Sequence, residues 1–382
     1  MSEPGAVGGV MVVAGTRPEA IKVAPVVLEL ARRRLPHTFL VTAQHRELLD
    51  TVVELFGLRP DVDLDIMKPG QHPGRVLSEA IAGIDRAIQE ASPRAVLVQG
   101  DTVTALSGAL AAFHRQIPVG HIEAGLRSGD LEAPFPEEGS RRMIGQVARY
   151  HYVPTANARR NLLAEGIPEE WIHDTGNTIV DSLLWVKARV RLDPVSLFGE
   201  EGDTGRRLVL VTLHRRESLG NALSELAGAL ARVADAMPEV VFVVPLHPNP
   251  AVGEAVRPIL GGRDNVRLRP AMAYDEFVAA MARACLIVTD SGGIQEEAPS
   301  LGVQALVVRD KTERVEAIEA GWATLIGRSG ARLEAELRAR LTADGARAMP
   351  AGNPFGDGRA ATRIVDQLEG ALDIEADPQR TQ

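Results

Sequence analysis

The sequence predicts an α/β protein built from two doubly wound, Rossmann-like domains that face each other across a cleft. Short runs of β-branched and apolar residues alternate with helical periods of roughly ten to fifteen residues, and this pattern repeats along the whole chain. No Asn-Gly or Asp-Gly hairpin signal joins the runs of the first half, which favours helical crossovers and parallel sheets. The length of 382 residues fits two domains of roughly 150 residues each better than one or three.

The apolar runs predict strands in both halves of the chain. In chain order these strands cover Val10 to Ala14, Thr38 to Thr42, Ala95 to Gln99, Val119 to Glu123, Tyr150 to Val153, Leu208 to Leu213, Val240 to Pro245, Val266 to Leu268, Leu286 to Thr289 and Ala305 to Val308. Between the third and fourth strands, Leu106 to His114 has the periodicity of a helix. A turn cluster near residue 355 precedes a final amphipathic helix, Ala360 to Leu372.

A Gly-, Asp- and Glu-rich segment around Gly199 to Asp203 separates the two halves and predicts an interdomain linker. The expected domains are residues 1–178 and 206–358, joined by a linker of residues 179–205. The final helix, residues 359–373, is expected to pack back on the first domain. Two such domains bring the carboxyl ends of both sheets to one cleft, where open α/β sheets bind ligands.

The composition excludes several classes of protein. Lys and Arg number 42 against 51 Asp and Glu, and the net charge of −9 disfavours nucleic-acid binding through a basic surface. The one cysteine, Cys285, lies in an apolar run, so an intrachain disulfide and a cysteine-based zinc site are excluded. No apolar stretch approaches the roughly 18 residues of a membrane-spanning helix, and the first residues lack the basic region of a signal peptide. We therefore expect a cytoplasmic protein with no membrane partner.

The first predicted strand ends in a candidate phosphate-binding turn. Gly15 permits a tight turn, Pro18 suits the first helical position, and the helix amides are then expected near the cations of Arg17 and Lys22. A plain strand-to-helix turn with two solvated cations is the alternative interpretation, and the spacing alone does not separate the two. The turn lacks a GxGxxG fingerprint, so nothing supports NAD binding.

The segment Thr289 to Glu297 is a stronger anion signal at a later strand end. Gly292 and Gly293 let backbone amides approach a diphosphate at a helix N-terminus, and Ser291 adds a hydroxyl. Glu297, about one helical turn further on, is placed to accept from both hydroxyls of a ribose. A sugar nucleotide fits these groups, whereas a glycine-rich turn with a surface carboxylate is the simpler alternative.

Three acidic positions form a candidate catalytic group. Asp101 and Glu123 follow predicted strands, and Glu137 belongs to a predicted loop, Pro134 to Glu138. Carboxylates grouped in a cleft act as general acid and base when their surroundings separate their proton affinities. Metal ligation is the rival interpretation, but no His-x-His or HExxH spacing accompanies them, so no metal is expected. Helix capping explains a single acidic residue at a strand end, whereas the clustering of three favours catalysis.

The second domain opens with a strand end that bears His214, Arg215 and Arg216. His214 is suited to neutralise a phosphate or to carry a proton, whereas an isolated histidine is as often structural. The residues alone leave both interpretations open.

Taken together, these motifs resemble those of the bacterial non-hydrolysing UDP-N-acetylglucosamine 2-epimerases, enzymes of the glycosyltransferase-B fold. The similar stretches run in the expected order from residue 15 to the turn cluster near residue 358. They are GTRPEAIKVAPVV, TAQHRELLD, GDTVTALSGALAAF, IPVGHIEAGLRSGD, PFPEEGSRR, TGNTIVDSLL, HRRES, LHPNP and DSGGIQEEAPSLG. Each motif is weak alone, and their order and coverage make the resemblance specific.

The resemblance implies roles for individual residues. It places the phosphate and uridine contacts on Arg17, Lys22, His214, Met272, Phe277, Ser291, Gly292, Gly293, Glu297 and Arg314. Asp101, Glu123 and Glu137 match the catalytic carboxylates, with His214 beside the leaving diphosphate. Val315 and Leu213 depart from the family pattern and leave the chemistry intact, whereas Met272 stands where a polar residue is common near the uracil.

The implied reaction is reversible epimerisation at carbon 2 of UDP-N-acetylglucosamine. The proton on carbon 2 is removed, UDP leaves carbon 1 to give a 2-acetamidoglucal, and UDP returns after a proton is delivered to the other face. Neither a metal nor a nicotinamide cofactor is required. In the family the substrate can also be an effector, which implies a second nucleotide site at Gln44, His45, Gln71, Arg215 and His247. A homodimer is also expected.

Three alternatives remain open. A glycosyltransferase of the same fold binds UDP in the same way but has no use for three carboxylates together. A hydrolysing 2-epimerase, which releases UDP and N-acetylmannosamine, differs only in letting water capture the intermediate. A catalytically silent sugar-nucleotide sensor keeps the UDP contacts and loses the carboxylates, and they are present here.

Overall fold

The structure, a computed structural model, describes residues 8–42, 46–66, 70–189, 205–213, 221–247, 249–342 and 350–372. The chain forms two compact units. The first unit comprises Met1–Ser182 and Phe355–Gln382, and the second comprises Leu183–Pro354. Within the described residues, no helix is both long enough and apolar enough to cross a membrane.

The first unit contains a parallel sheet of seven strands. These are β1 (Val10–Ala14), β2 (His37–Val41), β3 (Val62–Asp63), β4 (Ala95–Gln99), β5 (Val119–Ile122), β6 (Tyr150–Val153) and β7 (Ile172–Asp174). Their order across the sheet is β3-β2-β1-β4-β5-β6-β7. The order reverses between β1 and β4, and such a reversal is where open parallel sheets bind ligands at the carboxyl ends of their strands.

In the part of this unit that the structure describes, seven α-helices follow the strands, and the last of them runs into the second unit. They are α1 (Arg17–Arg32), α2 (Arg46–Leu55), α3 (Pro73–Ala91), α4 (Val103–His114), α5 (Glu137–Val147), α6 (Ala156–Ala164) and α7 (Thr178–Lys187). Met11 and Val13 of β1 and Val96 and Val98 of β4 form one buried cluster with α3 and α4. Strands β1 and β4 are buried along their whole length, and all their residues except Gln99 are apolar, as is typical of parallel strands covered on both faces.

The second unit contains a parallel sheet of six strands. They are β8 (Arg207–Thr212), β9 (Val240–Pro245), β10 (Val266–Arg269), β11 (Leu286–Thr289), β12 (Ala305–Val307) and β13 (Ala323–Leu325), in the order β10-β9-β8-β11-β12-β13. Its helices are α8 (Asn221–Ala236), α9 (Pro250–Leu260), α10 (Tyr274–Arg283), α11 (Gly292–Leu301), α12 (Val315–Glu319) and α13 (Gly330–Leu341). The strand order reverses between β8 and β11, so the carboxyl ends of those two strands mark the ligand-binding position of this sheet.

The last helix, α14 (Ala360–Leu372), belongs to the first unit although it follows the second in the chain. Asp181 on α7 accepts hydrogen bonds from the backbone N–H groups of Ala360 and Ala361 at 3.1 and 2.9 Å, which caps the N-terminus of α14. Burial raises the pKa of Asp181 to about 6. Further along α14, the hydroxyl of Tyr152 donates to Gln367 at 2.6 Å.

The predicted fold class, two doubly wound parallel sheets, is confirmed. Each predicted strand corresponds to an observed one, with ends that differ by at most one residue. Three strands were not predicted, namely β3, β7 and β13, because they have only two or three residues and their burial is incomplete. The predicted loop, Pro134 to Glu138, is wrong for its last two residues, because helix α5 begins at Glu137. Residues 179–187 of the predicted linker belong to α7, and residues 190–204 lie outside the described part of the chain.

Candidate active site

The candidate site of the first unit lies at the reversal of its strand order. Strands β1, β4 and β5 are adjacent in the sheet, and each ends directly before one of the predicted functional segments. These segments are the turn from Gly15 to Glu19, the turn from Gly100 to Thr102, and Glu123. Because the strands are parallel, their carboxyl ends bring the three segments to the same edge.

Asp101 is held by an arginine that the sequence analysis did not identify. The Nε of Arg141, on α5, donates to the Asp101 carboxylate at 2.7 Å, and its guanidinium also lies 3.4 Å from Glu138. Burial raises the pKa of Asp101 above its ordinary value; the Arg141 charge opposes this, and the charges of Glu123 and Glu137 reinforce it. Asp101 is therefore close enough to Glu123 and Glu137 for their charges to act on its carboxyl group.

Glu123 forms a buried ion pair with Lys22. The Nζ of Lys22 lies 2.5 Å from a Glu123 carboxylate oxygen, and the two side chains are 9% and 7% exposed. The other carboxylate oxygen accepts a short hydrogen bond from the Gln99 amide. The backbone of Glu123 has a φ of +66°, a conformation that is uncommon for a residue with a Cβ and concentrates at functional positions. The predicted phosphate ligand Lys22 thus contacts a predicted catalytic carboxylate.

Glu137 and Glu138 are adjacent but have different environments. Glu138 is fully buried and accepts from the backbone N–H groups of Ser128 at 2.9 Å and Gly129 at 3.4 Å, and from Arg142 at 3.1 Å. Burial acts to raise the pKa of Glu138, but these donors lower it below its ordinary value. In contrast, the Oε2 atom of Glu137 is buried and has no hydrogen-bond partner among the described residues. Glu138 is therefore a structural anchor, whereas Glu137 has a buried carboxylate oxygen that no described residue contacts by a hydrogen bond.

The turn between β1 and α1 is closed by Glu19. One Glu19 carboxylate oxygen accepts from the backbone N–H groups of Gly15 at 3.0 Å and Thr16 at 2.7 Å. The Thr16 hydroxyl accepts from the N–H of Glu19 at 3.4 Å, which completes a capping box. The backbone N–H groups of Gly15 and Thr16 are therefore occupied by Glu19, and the role of Arg17 and Lys22 as phosphate ligands stays a prediction. The Thr-x-x-Glu spacing of a capping box was the signal in the sequence that identifies this arrangement.

Gly15 is required by the close packing of this turn. A Cβ at this position would lie 2.1 Å from the Thr104 hydroxyl oxygen and 2.4 Å from that of Thr42. Those two hydroxyls are hydrogen-bonded to each other at 2.8 Å. The glycine thus allows β1 to pass directly beside α4 at the edge of the sheet that carries Asp101.

His121 and His151 are buried neighbours beneath the site. They are paired in register on β5 and β6, and burial lowers the pKa of His121 to about 3 and that of His151 to about 4. Both rings are therefore neutral at neutral pH. The Nε2 of His121 lies 2.7 Å from the carbonyl oxygen of Gly100. Because a carbonyl only accepts, His121 carries its proton on Nε2 and fixes the turn that precedes Asp101.

The lowered pKa of His151 predicts that it destabilises the fold in acid. A histidine whose folded pKa is depressed takes up a proton on unfolding, so its contribution to stability falls as pH drops below about 6.5 and continues to fall until pH reaches the folded pKa. His151→Leu removes this pH dependence. When the pH is lowered from 7.5 to 5, we therefore expect the variant to gain about 2 kcal/mol in free energy of unfolding relative to the wild type. Urea unfolding at the two pH values measures this difference, and an unchanged difference would show that the buried ring accepts a proton without penalty.

In the second unit, residues predicted to bind the diphosphate lie around the N-terminus of α11. Helix α11 begins at Gly292, directly after β11, and Ser291 is its N-cap residue. A Cβ built on Gly292 would lie 3.0 Å from the guanidinium carbon of Arg314. The Arg314 guanidinium pairs with Glu296 at 2.8 Å and Glu313 at 3.3 Å. The structure thus brings Ser291, Gly292 and Arg314 together at the end of β11.

The predicted nucleoside contacts lie on α10, just before it, and on α11. Glu297 is 5% exposed, and one of its carboxylate oxygens accepts from the Tyr274 hydroxyl at 2.7 Å. Tyr274 was not identified from the sequence, where nothing marks it as the partner of Glu297. Met272 is buried just before α10, and Phe277 is half-buried on that helix. Gly293 lies one residue into α11, where a Cβ would be 3.8 Å from the Glu297 carboxylate.

Several predicted residues cannot be located. Gln44, His45, His214 and Arg215 lie outside the described residues. Two further residues of the predicted effector site are described, each in its own unit. Gln71 donates to Glu79 at 3.0 Å, and the Nδ1 of His247 accepts from the N–H of Asn249 at 3.1 Å. Their joint effector role stays a prediction. Among the described residues, no group of three or more His, Cys, Asp and Glu side chains is arranged to hold a metal ion.

Comparison with known proteins gives a consistent set of relatives. The family model described as UDP-N-acetylglucosamine 2-epimerase matches residues 28–369. A UDP-N-acetylglucosamine 2-epimerase of Yersinia pestis is 47% identical over 368 residues, covering 94% of this chain and 98% of the relative. The crystal structure of the UDP-GlcNAc 2-epimerase from Neisseria meningitidis bound to UDP-GlcNAc matches with a TM-score of 0.88 and 38% identity, covering 94% and 99% of the two chains. The enzyme from Methanocaldococcus jannaschii in complex with UDP-GlcNAc and UDP matches with a TM-score of 0.81 and 32% identity, over 94% and 99%.

Proposed function

Since the chain belongs to the UDP-N-acetylglucosamine 2-epimerase family, we propose that it interconverts UDP-N-acetylglucosamine and UDP-N-acetylmannosamine without net hydrolysis. The single observation that carries this proposal is the grouping of Asp101 and Glu123, which follow strand ends of the first sheet, with Glu137 at the start of α5. Asp101 is tethered to Arg141, Glu123 is tethered to Lys22, and Glu137 keeps a buried oxygen without a partner. Three carboxylates with different partners provide groups of different proton affinity.

The chemistry requires proton transfer on both faces of carbon 2. In the forward direction a carboxylate takes the carbon 2 proton, and the electron pair of that bond forms a double bond to carbon 1. The bond between carbon 1 and the β-phosphate oxygen breaks, and UDP leaves with its electron pair. In the second half, UDP adds back to carbon 1 and a protonated carboxyl delivers a proton to the opposite face of carbon 2. Asp101, Glu123 and Glu137 are proposed to hold and move these protons.

The leaving diphosphate requires fixed positive charge and hydrogen-bond donors. In the second unit these groups are the Arg314 guanidinium and the α11 N-terminus with Ser291, Gly292 and Gly293, while Glu297 is proposed to accept from the ribose hydroxyls. The relatives from Neisseria meningitidis and Methanocaldococcus jannaschii bind UDP-GlcNAc, which supports the same ligand class here. We also propose that Arg17 and His214 contribute to holding the diphosphate.

The experiment that tests this function follows the products. Purified protein is incubated with UDP-N-acetylglucosamine, and the anomeric protons are followed by proton NMR. We expect UDP-N-acetylmannosamine to accumulate to an equilibrium mixture without stoichiometric release of UDP. Equimolar UDP and free N-acetylmannosamine would instead identify a hydrolysing enzyme, and sugar transfer only in the presence of an acceptor would identify a glycosyltransferase.

A further inference from the structure

Glu19 connects the two turns at the reversal of the first sheet. Besides the N–H groups of Gly15 and Thr16, its carboxylate accepts a short hydrogen bond from the hydroxyl of Thr102. Thr102 directly follows Asp101 and is the N-cap of α4. Glu19 is only 1% exposed. One buried carboxylate therefore ties the start of α1 to the residue next to a candidate proton-transfer group.

The hydrogen bonds of this link have defined partners, and burial raises the pKa of Glu19 to about 7. The Thr102 hydroxyl oxygen accepts from the N–H of Ala105 at 3.1 Å to cap α4, and it donates its own hydrogen to Glu19 when Glu19 is ionised. The other Glu19 oxygen receives two backbone N–H groups. An ionised Glu19 accepts all three donors, whereas an amide in its place would point N–H groups at a hydroxyl that also needs an acceptor.

In the turn around Asp101, the two neighbouring residues, Gly100 and Thr102, are held by hydrogen bonds that do not involve Asp101 itself. The carbonyl of Gly100 accepts from His121, and the N–H of Gly100 donates to Ile122 at 3.0 Å. At the other end of the turn, the Thr102 side chain contacts Glu19. The Asp101 backbone thus lies between two anchors, and Arg141 orients only its carboxylate.

We propose that Glu19 is a positioning residue for Asp101: through Thr102 it holds the Gly100–Thr102 turn against the start of α1 and so sets the place of the Asp101 carboxylate. This inference rests on the proposed function, in which Asp101 transfers a proton. Glu19 itself touches neither the substrate nor the reacting atoms. Its removal is expected to reduce kcat more than it changes the KM for UDP-N-acetylglucosamine.

The test compares Glu19→Gln with the wild type. The glutamine keeps an oxygen for the two backbone N–H groups but presents an N–H group to Thr102. Since a misplacement of about 1 Å in an active site costs on the order of a hundredfold, we expect kcat to fall about ten- to a hundredfold with KM within about threefold. A crystal structure of the variant should show the Asp101 carboxylate displaced by at least about 0.5 Å. An unmoved carboxylate, or a kcat within about threefold of the wild type, overturns the inference.

Two further variants separate positioning from a general structural effect. Thr102→Ser keeps the hydroxyl and should keep kcat within about threefold, whereas Thr102→Val removes it and should reproduce the Glu19→Gln loss. Because Glu19 and Thr102 act through one hydrogen bond, the double variant of Glu19→Gln and Thr102→Val should have a kcat no lower than that of the less active single variant. Thr102→Val also leaves Glu19 intact, so it gives the same test if Glu19→Gln does not fold. Additive losses in the double variant contradict the proposed link.

The matched control is Asp181→Asn. Asp181 is also a buried carboxylate of the first unit that accepts two backbone N–H groups at a helix start, but those belong to α14 and no hydrogen bond joins it to the Asp101 turn among the described residues. Its kcat should stay within about twofold of the wild type. A loss equal to that of Glu19→Gln would show that any buried cap has the same effect, which overturns the inference.

Measuring Asp101→Asn in the same series separates two hypotheses, namely that Asp101 transfers a proton and that Glu19 positions it. If Asp101→Asn retains turnover, the proposed role of Asp101 fails, and the displacement of its carboxylate in the Glu19→Gln crystal still decides the positioning inference. If Asp101→Asn is inactive while Glu19→Gln turns over normally, the positioning inference alone is wrong.

Discussion

Glu137→Gln is expected to lower kcat by about a hundred- to ten-thousand-fold while UDP affinity stays within about threefold, because a group that transfers a proton in the rate-limiting step contributes on that scale. The unpartnered Oε2 atom means that the substitution breaks no hydrogen bond of that atom within the described structure. The folded protein should therefore be as stable as the wild type. Steady-state turnover, UDP titration calorimetry and urea unfolding on one preparation measure the three quantities.

The neighbouring residue provides the control for this prediction. Glu138→Gln replaces a fully buried carboxylate that accepts from Ser128, Gly129 and Arg142, so it is expected to lower the free energy of unfolding by about 1–3 kcal/mol. The two adjacent variants should thus separate, one losing turnover and the other losing stability. A Glu137→Gln enzyme that keeps more than about half of the wild-type turnover would remove Glu137 from the proton-transfer group.

Lys22→Met is expected to lower the free energy of unfolding of the first unit by about 3–5 kcal/mol, because it removes the Lys22 charge from the buried Glu123 carboxylate. Replacing the Glu123 carboxylate with a neutral amide should reverse most of this loss in the free energy of unfolding. The double variant Lys22→Met with Glu123→Gln is therefore expected to unfold in urea close to the wild type, although it should have no useful turnover.

The stability of the double variant distinguishes two roles for Lys22. If Lys22 serves mainly to balance Glu123, the double variant recovers stability. If it serves mainly as a phosphate ligand, Lys22→Met weakens UDP binding and leaves the fold largely unchanged. A double variant that is no more stable than Lys22→Met would contradict the ion-pair interpretation.

Much of the fold was predictable because fully buried parallel strands have a simple signature. Strands such as β1 and β9 are apolar throughout, and their ends were located within one residue. The short strand β7, Ile172–Asp174, was not predicted because it has two polar residues among three and one of them is exposed. Periodicity has too few positions to detect such a strand.

The candidate site was predictable as a set of residue types, but not as a set of partners. Asp101 and Glu123 were identified because they follow strand ends, whereas Arg141 lies 40 residues from Asp101 and nothing local pairs them. The different environments of Glu137 and Glu138 depend on where α5 begins, since neighbouring helix residues point in directions about 100° apart. Glu19 is the exception, because its capping-box spacing was present in the sequence.

During the proposed epimerisation, carbon 2 exchanges its proton with carboxylates of the first unit. Incubation with UDP-N-acetylglucosamine in deuterated water tests it most directly, with proton NMR and mass spectrometry of the recovered nucleotides. The account predicts deuterium at carbon 2 of UDP-N-acetylmannosamine from the first turnovers, later deuterium in the remaining substrate, and no stoichiometric UDP. Epimerisation that proceeds without deuterium at carbon 2 would contradict the account.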